Sequence, residues 1–409
     1  MAKAGTKTAK SSRRNAEALI AKLRERKAVI GVIGLGYVGL PLCIVLTDAG
    51  FKVIGYDVSK KKVKLINAGK SDIDDVSDEA VAKAVRSGHL TASDDPAVIK
   101  RCDVISICVP TPLSKTKDPD VSYILAAMDV VKEHVSKGAL VVLESTTYPG
   151  TTEDMILPIL EENGRVAGRD FFLAFSPERV DPGNPKYHTQ NTPRVVGGIT
   201  PTCTKVAKTF YEQTISNVYP VSSTKAAEMV KLLENTFRSV NIGLVNEVAL
   251  MCHRLNIDVW EIIDAAATKP FGFMPFYPGP GLGGHCIPID PHYLSWKLKS
   301  LNYYARFIEL AGDINSHMPE WVVERIGALL NDRFARSIKK STILVLGIAY
   351  KRDIKDIRES PSLDVIKLLQ DHGAKVLYND PYVPQFDLNG YAMKSSKLTP
   401  ALLKRTDLV

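Results

Sequence analysis

Twelve residues, Gly279-Pro280-Gly281-Leu282-Gly283-Gly284-His285-Cys286-Ile287-Pro288-Ile289-Asp290, concentrate the chemistry of this sequence. Four glycines within six positions strip away side chains and let the backbone approach a bulky neighbour. A cysteine follows almost at once, and an acid lies four residues beyond it. The spacing suggests a ligand laid against bare backbone and presented to a thiol nucleophile. The alternative is a tight loop ending in a small buried hydrophobe, which is what most free cysteines are. His285 could act as a base there, although a loop-packing ring explains it as simply.

A second reactive group lies on a long helix. From Ser222 to about Asn256 apolar residues recur every 3.6 positions, with Ala226, Met229, Val230, Leu233, Phe237, Val240, Leu244 and Val248 forming a stripe. Lys231 and Asn235 are four apart and share a face, with Arg238 one turn on. A helix of this length connects domains or forms a subunit contact. Asp258 to Glu261 has the form of a capping box that opens a shorter helix.

Upstream, Ala28 to Ile33 is a short β-rich apolar run. Gly34-Leu35-Gly36-Tyr37-Val38-Gly39 follows directly, then a helix-compatible stretch from Leu40 to Ala49 and a second strand from Phe51 to Tyr56, ending on Asp57. This is the dinucleotide fingerprint in its required context of strand, G-x-G-x-x-G, helix, strand and acid. The first glycine makes the turn, the second lets a pyrophosphate approach, and the third lets helix and strand pack. Asp57 is placed to accept from ribose hydroxyls, which favours NAD over NADP; Lys62 could still tolerate a phosphate.

Further strands keep the same rhythm. Cys102 to Val109 runs into Pro110-Thr111-Pro112, and Leu140 to Glu144 runs into Ser145-Thr146-Thr147. Loops at strand C-terminal ends are where open α/β sheets bind ligands. Hydroxyls in these loops are placed to meet the nicotinamide ribose, or to cap the next helix. Phe171 to Phe175 delivers Ser176-Pro177-Glu178-Arg179, and Arg194 to Gly198 and Asn217 to Val221 read as the last strands of this domain. After helices over roughly 290–335, Ser341 to Gly347, Ser362 to Asp371 and Ala374 to Tyr378 form a second βαβ-like unit without that glycine fingerprint. The expected fold is α/β: two Rossmann-like doubly wound domains joined by a long central helix and a small helical domain. The expected boundaries are a basic tail at 1–27, an NAD-binding domain at 28–221, a central helical dimerisation domain carrying the cysteine loop at 222–330, and a second Rossmann-like domain at 331–409.

The length of 409 residues fits such a multidomain chain. The net charge of +8 is concentrated at one end. Residues 1–28 hold nine Lys or Arg against Glu17 and Glu25, leaving the rest near neutrality. A basic tail is more often a solvated extension than a nucleic-acid site, so no nucleic-acid partner is expected. No apolar run reaches membrane-spanning length, so no membrane partner is expected either. The six cysteines form no CxxC pair, which argues against disulfides or a zinc site and suits a reducing cytoplasm.

With these residues in hand, the chain from about Val29 to Val409 resembles the UDP-glucose/GDP-mannose dehydrogenase family. The likeness rests on G-x-G-Y-V-G (34–39), V-P-T-P (109–112), S-T (145–146), S-P-E (176–178), K-x-x-x-N (231–235), G-x-G-G-x-C-x-x-x-D (281–290) and K-x-D-x-x-D-x-R-E-S (351–360). Within the family, 279–297, Phe273 to Tyr277 and Ser176 to Arg179 look most like members acting on UDP-N-acetylglucosamine. The same chemistry on UDP-N-acetylmannosamine or UDP-glucose is the near alternative.

The resemblance implies a four-electron oxidation of a sugar C6 alcohol to a carboxylate, using two NAD+. It implies that Cys286 captures the intermediate aldehyde, that Lys231 stabilises an oxyanion with Asn235 beside it or holding a water, that Glu178 activates a water which Thr146 helps to position, and that Asp290 orients that water or the lysine. It further implies that Glu178, Arg179, Lys231, Asn235 and the backbone of Tyr277, Pro278, Gly279, Pro280, Gly281 and Gly283 meet the substrate. Lys351 would meet a substrate phosphate, and Arg358 would reach the cofactor with 34–39, Asp57, Lys62, Val109 to Pro112, Ser145 and Thr147. A homodimer through the central helix is expected.

Two departures stand out. The family's second acid, four residues after the S-P-E glutamate, is Pro182 here, with Asp181 beside it. Family members also continue past the position of Val409, so the resemblance implies a C-terminal domain that is truncated in this sequence. A different class, an NAD-dependent nucleotide-sugar epimerase, would need a Tyr-x-x-x-Lys base; Tyr56 to Lys60 and Tyr293 to Lys297 match the spacing but not the expected place.

Overall fold

The computed structural model describes residues 2–409 except 74, 115–117, 182, 183, 185, 285, 389 and 390, and of residues 2–12, 388 and 391 only the backbone. His285 and Pro182 therefore lie outside the described residues. By compactness the chain divides into Met1–Leu233 and Glu234–Val409. This differs from the three-way division expected at 221/222 and 330/331. The break falls inside the long helix, and the short helices share one unit with the C-terminal α/β segment.

In the first unit the elements are α1 (Ala2–Arg24), β1 (Val29–Ile33), α2 (Gly39–Asp48), β2 (Lys52–Tyr56), α3 (Lys60–Asn67), α4 (Asp78–Arg86), β3 (Leu90–Ser93), β4 (Val104–Ile107), α5 (Ser122–His134), β5 (Leu140–Leu143), α6 (Leu157–Glu161), β6 (Phe172–Phe175), β7 (Arg194–Gly198), α7 (Pro201–Tyr211) and β8 (Val218–Pro220), and α8 (Thr224–Leu255) begins there. The strands form one sheet in the order β3-β2-β1-β4-β5-β6-β7-β8. β3 through β6 run parallel; β7 is antiparallel to β6, and β8 parallels β7. Parallel strands covered on both faces must be apolar throughout, and Leu140-Val141-Val142-Leu143 is buried at every position.

The expectation of a solvated basic tail at 1–27 is corrected. Those residues are mostly helix α1, and Ala16, Leu19, Ile20 and Leu23, spaced to share one face, join the buried core of the first unit. Asn15 donates to the Arg169 carbonyl at 2.8 Å, Lys22 pairs with Asp103 at 2.6 Å, and the Arg26 guanidinium donates to the Gln213 carbonyl at 3.0 Å and lies over the Phe51 ring. The charge of the segment masked a short apolar stripe in its second half.

The second unit takes α8 onward, with α9 (Val259–Ala267), α10 (Asp290–Lys299), α11 (Arg306–Phe334), β9 (Thr342–Leu346), α12 (Pro361–Asp371), β10 (Lys375–Asn379), β11 (Gln385–Leu388), β12 (Tyr391–Lys394) and α13 (Pro400–Lys404). β9 and β10 are a parallel pair, β11 and β12 an antiparallel hairpin that the sequence did not reveal, and Leu408 bridges in parallel to Ile343. The Rossmann-like character of this part thus rests on two strands, a helix and the start of a third strand. Val323, Leu330, Ile343, Val365, Leu369 and Tyr378 form its core.

The two parallel pairs share one device. β1 and β9 are each followed by a left-handed glycine, Gly34 (φ 88°) and Gly347 (φ 84°). Each donates its N–H to the last residue of the partner strand, Gly34 to Tyr56 at 2.9 Å and Gly347 to Asn379 at 2.8 Å. The next N–H, of Leu35 or Ile348, goes to the carboxylate just after that strand, Asp57 or Asp380, at 2.9 Å in both cases. No helix among the described residues is long and apolar enough to cross a membrane.

Leu23 is fully buried in the first core, so Leu23→Ala should lower the unfolding free energy by about 2–5 kcal/mol in urea denaturation. An unchanged midpoint would mean that α1 does not belong to that core.

Candidate active site

In the first unit the strand order reverses between β1 and β4, and the crevice outside their carboxyl ends is the place where such sheets bind ligands. The three fingerprint glycines are needed for three different reasons. A Cβ on Gly34 would lie 2.8 Å from the Cys108 carbonyl oxygen, so the turn after β1 is pressed against the end of β4. A Cβ on Gly39 would lie 1.8 Å from the Gly34 oxygen, so helix and turn touch backbone to backbone. At Gly36 a Cβ would meet nothing within 4 Å. That open backbone is where a pyrophosphate fits, and it is the local evidence that a dinucleotide suits this crevice.

Around it, the Leu35 side chain is buried in the core, Val38 packs against the same core, and Tyr37 is exposed. Asp57 accepts from Leu35 and Ser59 N–H groups, one on each oxygen, at 2.9 Å. Lys62 is held by Asp72 at 2.5 and 2.7 Å, which already neutralises the cation expected to tolerate a 2′-phosphate. Val109, Thr111 and Pro112 are half-buried and Pro110 is exposed in the loop after β4.

Two hydroxyls expected at the cofactor turn inward instead. Ser145 donates to the Val109 carbonyl at 2.7 Å and ties the β4 and β5 loops together. Thr147 is fully buried against the Thr151 hydroxyl at 2.7 Å. Thr146, between them, is half-buried. The same loop is clamped from α8, where the buried Glu228 accepts from Gly150 N–H at 2.6 Å and from Thr152 N–H and hydroxyl at 2.9 and 2.7 Å.

Glu178 follows β6 and sits in a buried charge cluster. One carboxylate oxygen accepts from the Arg179 and Val180 N–H groups at 2.8 and 3.0 Å, and the other pairs with Arg194 at 2.8 Å. Arg194, the first residue of β7, also pairs with Glu144 at the end of β5, donates to Ser176 at 3.0 Å and lies 4.7 Å over the Tyr211 ring. Tyr211 in turn donates to Glu144 at 2.9 Å. Burial works against charge on Glu178. The Arg194 guanidinium, two backbone N–H groups and the charge of Lys231 outweigh it and hold the carboxyl below the usual range. Burial pushes Glu144 up, despite Arg194. Lys231 is buried on α8 rather than exposed as a surface charge. The Arg179 guanidinium donates to the Pro193 carbonyl at 2.6 Å.

In the second unit the cysteine loop is tied to α10 and α8. The Cys286 carbonyl accepts from the N–H groups of Ile289 at 3.1 Å and Asp290 at 2.8 Å. The buried Asp290 carboxylate accepts from the Asn235 side chain at 2.5 Å, and Asn235 is itself buried. Cys286 is partly exposed, whereas the other five cysteines are buried. Burial pushes the Cys102 thiol up to about 12, with the Arg101 charge opposing, and raises Cys108 well beyond the ordinary range.

The glycines of this loop do not serve a ligand alone. A Cβ on Gly283 would lie 2.5 Å from Tyr350 and 3.0 Å from the Glu359 oxygen, and one on Gly284 (φ 83°) 2.9 Å from the Tyr350 ring. A Cβ on Gly281 (φ 133°) would lie 3.0 Å from the Asn315 carbonyl oxygen, and of the loop's glycines only Gly279 has open space. The bulky neighbour inferred from sequence is therefore, at three positions, the protein itself. Tyr277 stacks on Trp260 and donates to Asp264 at 2.8 Å, with Pro278 and Pro280 half-buried beyond it. Lys351 lies 6.0 Å from the Tyr350 ring. Arg358 grips Asp356 with two nitrogens at 2.6 to 3.0 Å, which occupies part of the guanidinium expected at the cofactor. Arg194, Glu144, Glu228 and the loop-holding Asn246 were not singled out in the sequence, because their partners lie 16 to 78 residues away.

Residues 28–215 match the NAD binding domain of the UDP-glucose/GDP-mannose dehydrogenase family, 225–317 its central domain and 344–409 its UDP binding domain. The chain is 37% identical over 358 residues to the UDP-N-acetyl-D-glucosamine 6-dehydrogenase of Salmonella typhi, covering 87% of this chain and 82% of that one. It is 39% identical over 357 residues to the UDP-N-acetyl-D-mannosamine dehydrogenase of Pyrococcus horikoshii, covering 87% and 84%. The solved structure of a UDP-D-ManNAc dehydrogenase from Pyrococcus horikoshii superposes with a TM-score of 0.82 at 36% identity, over 90% of this chain and 85% of that one.

Glu178 favours folding fully above the ordinary glutamate range near 4.5, and that contribution fades as pH falls through its lower folded value. Arg194→Met removes the counter-charge from two buried carboxylates at once. It should cost about 3–5 kcal/mol in urea denaturation at pH 7; a loss below about 1 kcal/mol would mean that the cluster does not hold the first unit together.

Proposed function

The chain belongs to the UDP-glucose/GDP-mannose dehydrogenase family, and we propose that it oxidises the C6 alcohol of a UDP-N-acetylhexosamine, foremost UDP-N-acetylglucosamine, to the carboxylate for polysaccharide synthesis. As a member it is an NAD-dependent oxidoreductase acting on a UDP-sugar. The observation that carries the reading is the bonded series in which the Asn235 amide donates to the Asp290 carboxylate and the Asp290 N–H donates to the Cys286 carbonyl, which ties the cysteine's backbone and the acid to one helix start.

Two molecules of NAD+, bound one after the other, would each supply the acceptor for one hydride. In the proposed sequence the Cys286 thiolate adds to the C6 aldehyde left by the first oxidation and forms a thiohemiacetal. Loss of a second hydride leaves a thioester, and attack of water releases the carboxylate and returns the thiol. Covalent capture keeps the aldehyde from diffusing away between the two oxidations. Lys231, a buried cation, would stabilise negative charge on the C6 oxygen. Asn235, pinned through its amide nitrogen by Asp290, would turn its oxygen to a hydroxyl or a water. Glu178 is kept ionised at neutral pH, so it would be in the form that takes a proton from water. Thr146 would help to place that water. Gly279 offers open backbone to the sugar, Arg179 would meet the substrate, and Lys351 would meet its diphosphate.

The sugar itself is a matter of small loop differences, and relatives acting on both the gluco and manno epimers support the class rather than one member. UDP-N-acetylglucosamine with NAD+ should give NADH at least about tenfold faster than UDP-glucose does. NADH from UDP-glucose but not from UDP-N-acetylglucosamine would contradict the proposal. UDP-N-acetylmannosamine as the better substrate would move it to the epimer. Cys286→Ala should yield no carboxylate; unchanged turnover would remove the covalent step.

We further propose a homodimer through α8, in the reducing cytoplasm. Its exposed residues Leu233, Phe237, Leu244, Met251 and Leu255 are spaced 4, 7, 7 and 4 apart and are 48% to 68% exposed. That spacing fits the seam of a helix pair. Val245, Ala249 and Cys252 occupy a different, buried face. Light scattering should give twice the 44.9 kDa chain mass, and the Leu244→Glu, Met251→Glu double variant should give a single chain. A wild type of single-chain mass would contradict the dimer.

A further inference from the structure

Under the glycine loop lies a relay of two buried side-chain amides whose direction is fixed from both ends. The Gly279 N–H donates to Asn246 Oδ1 at 2.9 Å. Asn246 Nδ2 donates to Asn315 Oδ1 at 2.8 Å, and Asn315 Nδ2 donates to the Ser239 carbonyl at 3.2 Å. A backbone N–H can only donate and a carbonyl can only accept, so neither amide can be turned over without placing like groups face to face. Asn246, Asn315 and Ser239 are all buried, where an unmet polar group is costly.

The same helix that carries Asn315 forms the floor of the loop. Gly281 lies against the Asn315 carbonyl, and its missing Cβ would sit 3.0 Å from that oxygen. Pro319 stands four residues later inside α11 and has no N–H to return to that carbonyl. The loop is thus held from α8 at Gly279, rests on α11 at Gly281, and is bonded to the Arg358 carbonyl by the Gly284 N–H at 3.1 Å.

We propose that Asn246 and Asn315 are positioning residues for the UDP-sugar, fixing the height and tilt of the loop from which the sugar is read. This rests on the reading that residues 277–284 cradle the sugar. Asn246 acts through Gly279, the one glycine of the loop with open space above its Cα, and Asn315 acts through Asn246.

Steady-state kinetics with UDP-N-acetylglucosamine and NAD+ test it. Asn246→Ala should raise the KM for the UDP-sugar about tenfold more than it changes the KM for NAD+. Asn315→Ala should do the same. The double variant should be no worse than the poorer single, because either gap breaks the relay. Equal effects on both KM values, full additivity, or no rise in the UDP-sugar KM would overturn the proposal. Should the alanine variants fail to fold, Asn315→Asp keeps the acceptor for Asn246 and replaces the bond to Ser239 with an oxygen set against its carbonyl. It should raise the UDP-sugar KM by about two- to fivefold, and no rise would overturn the proposal. A wild type that forms no NADH with any UDP-sugar would instead bring down the underlying reading of the loop.

Discussion

Both nucleotide-type segments depend on one constraint, a carboxylate that grips the backbone of the loop it faces. Asp57 and Asp380 each stand just beyond the second strand of a parallel pair and take the N–H of the residue after a left-handed glycine. The glycine permits the turn, and the carboxylate prevents it from opening. The two acids then diverge. Asp57 holds two N–H groups and remains partly exposed, which leaves capacity for ribose hydroxyls. Asp380 accepts from Ile348, Ala349, Tyr382 and Val383 and is buried, so it is consumed by the fold. Burial alone would raise its pKa, but those four N–H groups hold it below the ordinary aspartate range.

Legibility in the sequence followed the range of the interaction. The fingerprint at 34–57 could be read because its logic is local, and each glycine has a separate steric reason in the structure. The long helix was legible from its period and ends within two residues of the reading. Its apolar stripe was harder to interpret. Leu233, Phe237 and Leu244 look like core in a periodicity count, yet they are exposed, while Val245 and Cys252 face inward. A helix with two apolar faces defeats a one-stripe reading.

What was hidden is the set of contacts that hold the reactive side chains. Glu178 meets Arg194 across 16 residues, Arg194 meets Glu144 across 50, and Gly279 meets Asn246 across 33. No local pattern encodes such pairs. The glycines before Cys286 show the other kind of error. Their spacing signalled close approach, correctly, but the partner at Gly283 and Gly284 is Tyr350, some 66 residues on, rather than a ligand alone. The basic first segment failed for a third reason, since charge dominates composition while four apolar residues decide where α1 packs.

The central claim is that Cys286 carries the sugar covalently between oxidation and hydrolysis. Glu178→Gln keeps the shape of the site and removes the base, so the acyl intermediate should accumulate. The most direct measurement is peptide mass spectrometry of that variant, quenched in acid after mixing with UDP-N-acetylglucosamine and NAD+. The account predicts the Cys286 peptide with the added mass of the UDP-sugar acyl group. An unmodified Cys286 peptide alongside undiminished carboxylate formation would contradict it.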